Sequence, residues 1–169
     1  MTLDQFKEKF VAEITAKPDA AARLKCAAEG LAKAFAVKSH EVGLFAVNPK
    51  KHEINFVWPL SMSKVGHIPL NAINSLVAKT ANERKSYLDN AFAGSRHLFI
   101  FEHMLAEKSE RIPVQKIMSS PIINGDGVVT GVVQITRKAS SAVEAGADFT
   151  PENLAVLEAI AAVLPTAIG

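Results

Sequence analysis

The chain has 169 residues, 49% of them hydrophobic and 21% charged, which suits one globular domain with a substantial core. A formal net charge of +2 is too small to draw the chain to nucleic acid or a membrane surface, so neither partner is expected. The single cysteine, Cys26, excludes an intramolecular disulfide and a multi-cysteine metal site. The first nine residues are charged where a signal peptide would be apolar. The longest apolar run, Leu154 to Pro165, contains Glu158 and is too short to cross a bilayer. A cytoplasmic protein is the expectation.

Thr2 to Gln5 fits a capping box, and Leu3, Phe6, Phe10 and Ile14 recur at helical spacing behind it. Lys17-Pro18-Asp19 interrupts the pattern. A second helix then buries Leu24, Leu31 and Phe35, with Cys26 as a small structural thiol on it. These helices occupy residues 1–38.

The sheet core and pocket segments are expected over 41–138. Val42 to Val47 is apolar on both faces, as a strand covered on both sides would be. Asn48-Pro49-Lys50-Lys51 is a turn, and Ile54, Phe56 and Trp58 alternate along the partner strand until Pro59. Leu60 to Gly66 is a loop suited to a pocket mouth. His67 to Leu70 is a short edge strand because of its internal proline. Asn71 is a candidate cap for a helix with Ile73, Leu76 and Val77 inward, and Tyr87-Leu88 a candidate edge strand. Within Ala91 to Arg111, the stretch His97 to Leu105 reads as strand or helix by periodicity, and its position favours a segment that flanks the pocket.

Ile117 to Lys138 is a hairpin on an Asn124-Gly-Asp-Gly127 turn, of either two or four residues. Ile123 then opposes Val128. Ile117, Ser119 and Pro121 share a face with Thr130, Val132 and Gln134, and Val129, Val133 and Ile135 form the other. Gly131 suggests a bulge or a close backbone approach. After a Ser/Ala/Gly loop, Thr150-Pro151 starts a helix over 150–164. That helix is apolar nearly all round, so it should be covered on more than its sheet side, by the N-terminal helices or by a second subunit.

A strand ending Ser-Pro-Ile-Ile, an acidic glycine turn, Gly-Val-Val-Gln-Ile-Thr-Arg, a loop and Phe-Thr-Pro-Glu-Asn-Leu together resemble the C-terminal half of a GAF domain. The order of elements upstream is similar, so the resemblance covers roughly Ala21 to the end. It implies a single GAF-like (PAS-related) α+β domain over 1–169. A central antiparallel sheet of five to six strands would carry the N- and C-terminal helices on one face. Helices and loops would form a pocket on the other.

In that family the ligand lies over the pocket face. Parity puts Gly43, Phe45, Ser119 and Gln134 there, joined by Phe56 and Trp58 if the first hairpin loop has four residues. His103, on a segment expected to flank the pocket, completes the candidate set. The aromatic residues can equally be core. Gln134 is the most informative of the set, because a neutral amide in a central strand needs partners, which a ligand, a loop backbone or an edge position would each supply.

Other chemistry finds little support. His97 and His103 would lie about 120° apart around a helix or about 20 Å apart along a strand, so neither geometry pairs them, and a metal is not expected. Ser119-Ser120 lack a nucleophile elbow and a base, and the glycines of the hairpin do not open a helix. Relatives that reduce free methionine sulfoxide use pocket cysteines, and bilin-binding relatives use a cysteine usually followed by histidine. Cys26 precedes Ala27 on an early helix, so neither that activity nor a covalent bilin is expected. The Asn-Lys…Phe…Asp-Glu signature of cyclic-nucleotide binders is absent. The expectation is a non-enzymatic sensor of a small molecule of unidentified kind. It would form a homodimer through terminal helices and report through that dimer or a partner protein in trans. The alternative is an interaction and dimerisation module with a filled pocket.

Overall fold

The structure, a computed structural model, describes residues 1–64, 67–95 and 112–168. Thr2 Oγ1 accepts from Gln5 N at 3.2 Å while Gln5 Oε1 accepts from Thr2 N at 2.9 Å, so the capping box opens helix α1 (Leu3–Thr15). Asp19 Oδ1 accepts from Ala22 N at 2.8 Å and opens α2 (Ala20–Phe35). The two helices pack closely because Gly30 has no side chain: a Cβ there would lie 2.7 Å from the Phe10 ring.

Six strands follow: β1 (Val42–Asn48), β2 (Glu53–Trp58), β3 (His67–Pro69), β4 (Tyr87–Asp89), β5 (Val114–Ile123) and β6 (Val129–Lys138). They form one sheet in the order β3-β2-β1-β6-β5-β4, every pair antiparallel. Helix α3 (Leu76–Glu83) lies over one face. Helices α1, α2, α4 (Pro151–Ala161) and α5 (Leu164–Ile168) cover the other. On that second face Val42, Leu44, Met118, Val133 and Ile135 pack with Leu31, Phe35, Leu157 and Ile160. Each such side chain, fully buried, contributes about 1.5–3 kcal/mol. The α3 face has a smaller core of Phe45, Ile54, Ile68 and Val132 against Val77, Ala78 and Ala81.

Two irregularities reset the parity read from the sequence. In the first hairpin Leu44 pairs Trp58 but Phe45 pairs Phe56, leaving Val57 as an extra residue. In the second, Asn124 Oδ1 accepts from Asp126 N at 2.9 Å and Val128 N at 3.0 Å, and Asn124 N donates to Val128 O at 2.9 Å. The loop is therefore five residues, 124–128, not two or four. Ile123 pairs Val129 rather than Val128, and a register shift beside Gly131 sends Val129 to the α3 face and Thr130 to the other. Gly131 is a close approach, as its position in the strand suggests: a Cβ there would lie 2.3 Å from Phe45 O.

Two helix boundaries also differ from expectation. Helix α3 begins one turn later than Asn71 implies, because the buried Ser75 hydroxyl accepts from Ala78 N at 3.1 Å, and Ile73 stays outside the helix and exposed. The C-terminal helix stops at Ala161. Pro165 cannot donate to the preceding turn, so the chain tightens at Ala162–Val163 and restarts as α5. Helices α1 and α2 pack on α5, and Val156 and Val163 join the core in part. Of the two covers expected for this apolar circumference, the N-terminal helices and a second subunit, the first supplies much of it within the chain.

Cations close the sheet's end. Arg137 donates through its two terminal nitrogens to Ala36 O and Phe35 O, both at 3.1 Å, and stacks on Phe149 at 4.8 Å. These contacts satisfy carbonyls at the negative end of α2. Lys116, buried to 4% exposure, holds the loop before α4 through Gly146 O and through Asp148 Oδ1 at 2.8 Å.

Candidate functional site

A cavity of about 60 Å³ opens on the α3 side of the sheet, where β1 begins and β6 ends. Its floor is Gly43, Phe45 and Phe56, the two rings 4.5 Å apart and tilted by 53°. Met62, Phe92, Val114 and Ile117 wall it. Gly43 makes the room: a Cβ there would meet the Phe45 ring at 3.0 Å.

One row of residues crosses four strands beside this floor, with Gly43 opposite Gln134, Gln134 opposite Ser119, and Ser119 opposite Tyr87. Gln134 Nε2 donates to Ser119 Oγ at 3.2 Å. Ser119 Oγ lies 2.7 Å from Thr80 Oγ1, and Thr80 Oγ1 donates to Leu76 O at 2.7 Å. The amide is thereby tied, through two buried hydroxyls, to the backbone of α3.

The rim's polar groups are already hydrogen-bonded within the chain. Glu41, nearly buried, accepts from Lys38 N at 2.9 Å on one carboxylate oxygen and from Lys138 N at 2.7 Å on the other. Thr136 Oγ1 donates to Glu41 O at 2.8 Å, and Lys138 Nζ to His40 O at 3.3 Å.

Four of the candidate residues, Gly43, Phe45, Phe56 and Gln134, line the cavity together. Ser119 lies behind the lining, fully buried, and its oxygen serves Gln134 and Thr80. Trp58 is a correction. The extra Val57 turns it to the helical face, where its ring joins the main core and its Nε1 donates to Ser39 O at 2.9 Å. His103 lies outside the described residues. Sequence reasoning missed Thr80, Phe92 and Val114. Thr80 had a signal: it follows Leu76 and Val77 by four and three residues, on the same inward stripe. Phe92 sits on a 3-10 turn, Phe92–Ser95, that no periodicity marks.

Cys26 lies on the far side of the sheet, packed against the helical core, and burial raises its thiol pKa above the usual range. Among the described residues no group of three or more His, Cys, Asp or Glu side chains could hold a metal ion. No described helix is long and apolar enough to cross a membrane.

No protein-family model matches the chain, and no curated protein matches it in sequence. Solved structures do match it. The GAF domain of an Acinetobacter phosphoenolpyruvate-protein phosphotransferase is 14% identical with a TM-score of 0.73, over 99% of this chain and 94% of that one. The GAF domain of the corresponding Coxiella burnetii protein is 15% identical with a TM-score of 0.73, over 98% and 92%. A free methionine-R-sulfoxide reductase from Neisseria meningitidis, solved with its substrate, is 17% identical with a TM-score of 0.66, over 98% and 87%. The chain therefore has the GAF-domain fold over nearly its whole length. Its structural neighbours include both GAF domains and free methionine-R-sulfoxide reductases, and at 13–17% identity they show the fold alone.

Proposed function

We propose that this chain is a non-catalytic, cytoplasmic sensing domain that takes a small molecule into the cavity over its sheet and reports through a homodimer or a partner protein. The observation that carries this reading is the floor itself. Gly43 withholds a side chain where Phe45, Phe56 and Gln134 converge, leaving a mostly apolar space with the Gln134 amide on its floor and the polar groups of Glu41, Thr136 and Lys138 at its rim. Reductase chemistry is disfavoured because the only thiol, Cys26, is across the sheet from the cavity and held protonated by burial. The outer groove between α1 and α2, where Met1, Phe6 and Phe10 lie among Lys9, Glu13 and Glu29, is the surface offered for dimerisation through those helices.

The cavity's volume favours a second reading. At about 60 Å³ it is well short of the roughly 300 Å³ usual for ligand sites, as an interaction module with a filled pocket would be. Native mass spectrometry of the chain purified from its own host, against a denatured control, separates the two. A dimer carrying a small mass that leaves on denaturation supports sensing. A bare dimer with no thermal shift across a metabolite panel selects the interaction module, and a bare monomer removes the dimer from both.

A further inference from the structure

Gln134 is 4% exposed, yet its side chain makes a single hydrogen bond among the described residues, from Nε2 to Ser119 Oγ. The hydroxyls beyond it set the sense of that bond. Thr80 spends its proton on Leu76 O, one turn back along α3. Ser119 then donates to Thr80 and is left to accept from Gln134. The amide consequently turns its NH₂ to Ser119, and Oε1 has no protein donor among the described residues.

Nor is this oxygen sealed in. Among the described residues Arg137 Nε is the unpartnered side-chain polar atom without accessible surface. Gln134 Oε1 therefore keeps surface of its own, and the space Gln134 lines is the cavity. An acceptor facing such a space is met by water or by a ligand's donor, so the atom defines what can replace that water. An anion would be repelled by Oε1. The two charged side chains on the lining, Glu41 and Lys138, carry opposite signs and are both engaged, Glu41 by two backbone N–H groups and Lys138 by His40 O, so neither sign of charge finds an uncompensated partner there.

We propose, resting on the sensing reading above, that the cavity selects a small neutral molecule of the amide or alcohol class, which presents an N–H or O–H donor to Gln134 Oε1. Its remaining atoms lie on the rings of Phe45 and Phe56. At about 60 Å³ the space matches about two waters of roughly 30 Å³ each, so the buried part of the ligand is a few heavy atoms. Ser119 and Thr80 are positioning residues that hold the amide with its oxygen outward.

The test uses acetamide and acetone, which have equal numbers of heavy atoms, while only acetamide carries N–H donors. Each is titrated into the full chain and followed by backbone amide chemical shifts. Acetamide is expected to bind roughly fivefold more tightly than acetone, the worth of one net hydrogen bond. Gln134→Met should abolish that preference, and Ser119→Ala should reduce it by freeing the amide to turn. Equal binding of the two probes, or a preference that survives in a folded Gln134→Met variant, would overturn the donor assignment while leaving the pocket in place. If neither probe moves the amides of Gly43, Phe45 or Gln134, both this inference and the sensing reading fall.

Discussion

Replacing Gly131 by alanine asks the sheet to accept one methyl group at its most crowded backbone crossing. The added Cβ would sit 2.3 Å from Phe45 O, and real Cβ atoms stay at least 3.0 Å from a neighbour, so β6 and β1 must part locally by 0.7 Å or more. Neither strand can yield by rotating a side chain, because the obstacle is a carbonyl within the ladder that pairs Ala46 with Gly131 and Phe45 with Val132. Overpacking of this kind costs about 1–3 kcal/mol, and a lengthened ladder bond adds about 1 kcal/mol. A total near 3 kcal/mol lowers Tm by about 6–12 °C in a domain of this size. Urea unfolding followed by circular dichroism, with a thermal melt beside it, measures both. Gly125→Ala is the control: nothing lies within 4 Å of its Cβ and its φ is not positive, so it should be neutral to about 1 kcal/mol stabilising. A Gly131→Ala protein within about 0.5 kcal/mol of the parent, the range of an ordinary surface change, would refute the packing described for β1 and β6.

Asp148→Ala leaves the buried Lys116 ammonium with Gly146 O alone. Because Asp148 is 69% exposed, the loss should be about 1–2 kcal/mol by urea unfolding, below that of a fully buried pair. Lys116→Met together with Asp148→Ala should recover part of it. Cys26 should alkylate more slowly than a free thiol at pH 8, since burial favours its protonated form, and the rate should climb only at higher pH. Iodoacetamide labelling read by intact mass measures this, and a rate matching that of the urea-unfolded chain would contradict the packing given for α2.

What could be read in the sequence depended on whether local chemistry or a counting rule carried the information. The capping box at Thr2, Asp19 before α2 and Thr150-Pro151 before α4 are side-chain-to-backbone bonds between residues three apart, so they form as written. The edge strands at His67 and Tyr87 also stand where their short patterns put them. Strand faces, by contrast, were counted in steps of two, and each bulge adds one. Val57 takes Trp58 out of the cavity, and the wider Asn124 loop with the shift at Gly131 exchanges Val129 and Thr130. Val57 has no local signal, because it answers to the neighbouring strand, whereas Gly131 marks the second irregularity in the sequence itself. Gln134 was legible as a polar group on the pocket face. Its partner Ser119 was legible on the same face, but the hydroxyl behind it was not, since Thr80 lies 39 positions before Ser119 and meets it only in the finished fold.

The last three residues of β6 point alternately to two compartments. Thr136 and Lys138 border the cavity, while Arg137 between them grips the carbonyl end of α2. Adjacent side chains of a strand leave opposite faces of one backbone, so a single strand end serves both compartments. Three consecutive residues thus border the interior space and anchor a helix on the outer face, and a substitution at any of them would have to be judged on both sides of the sheet.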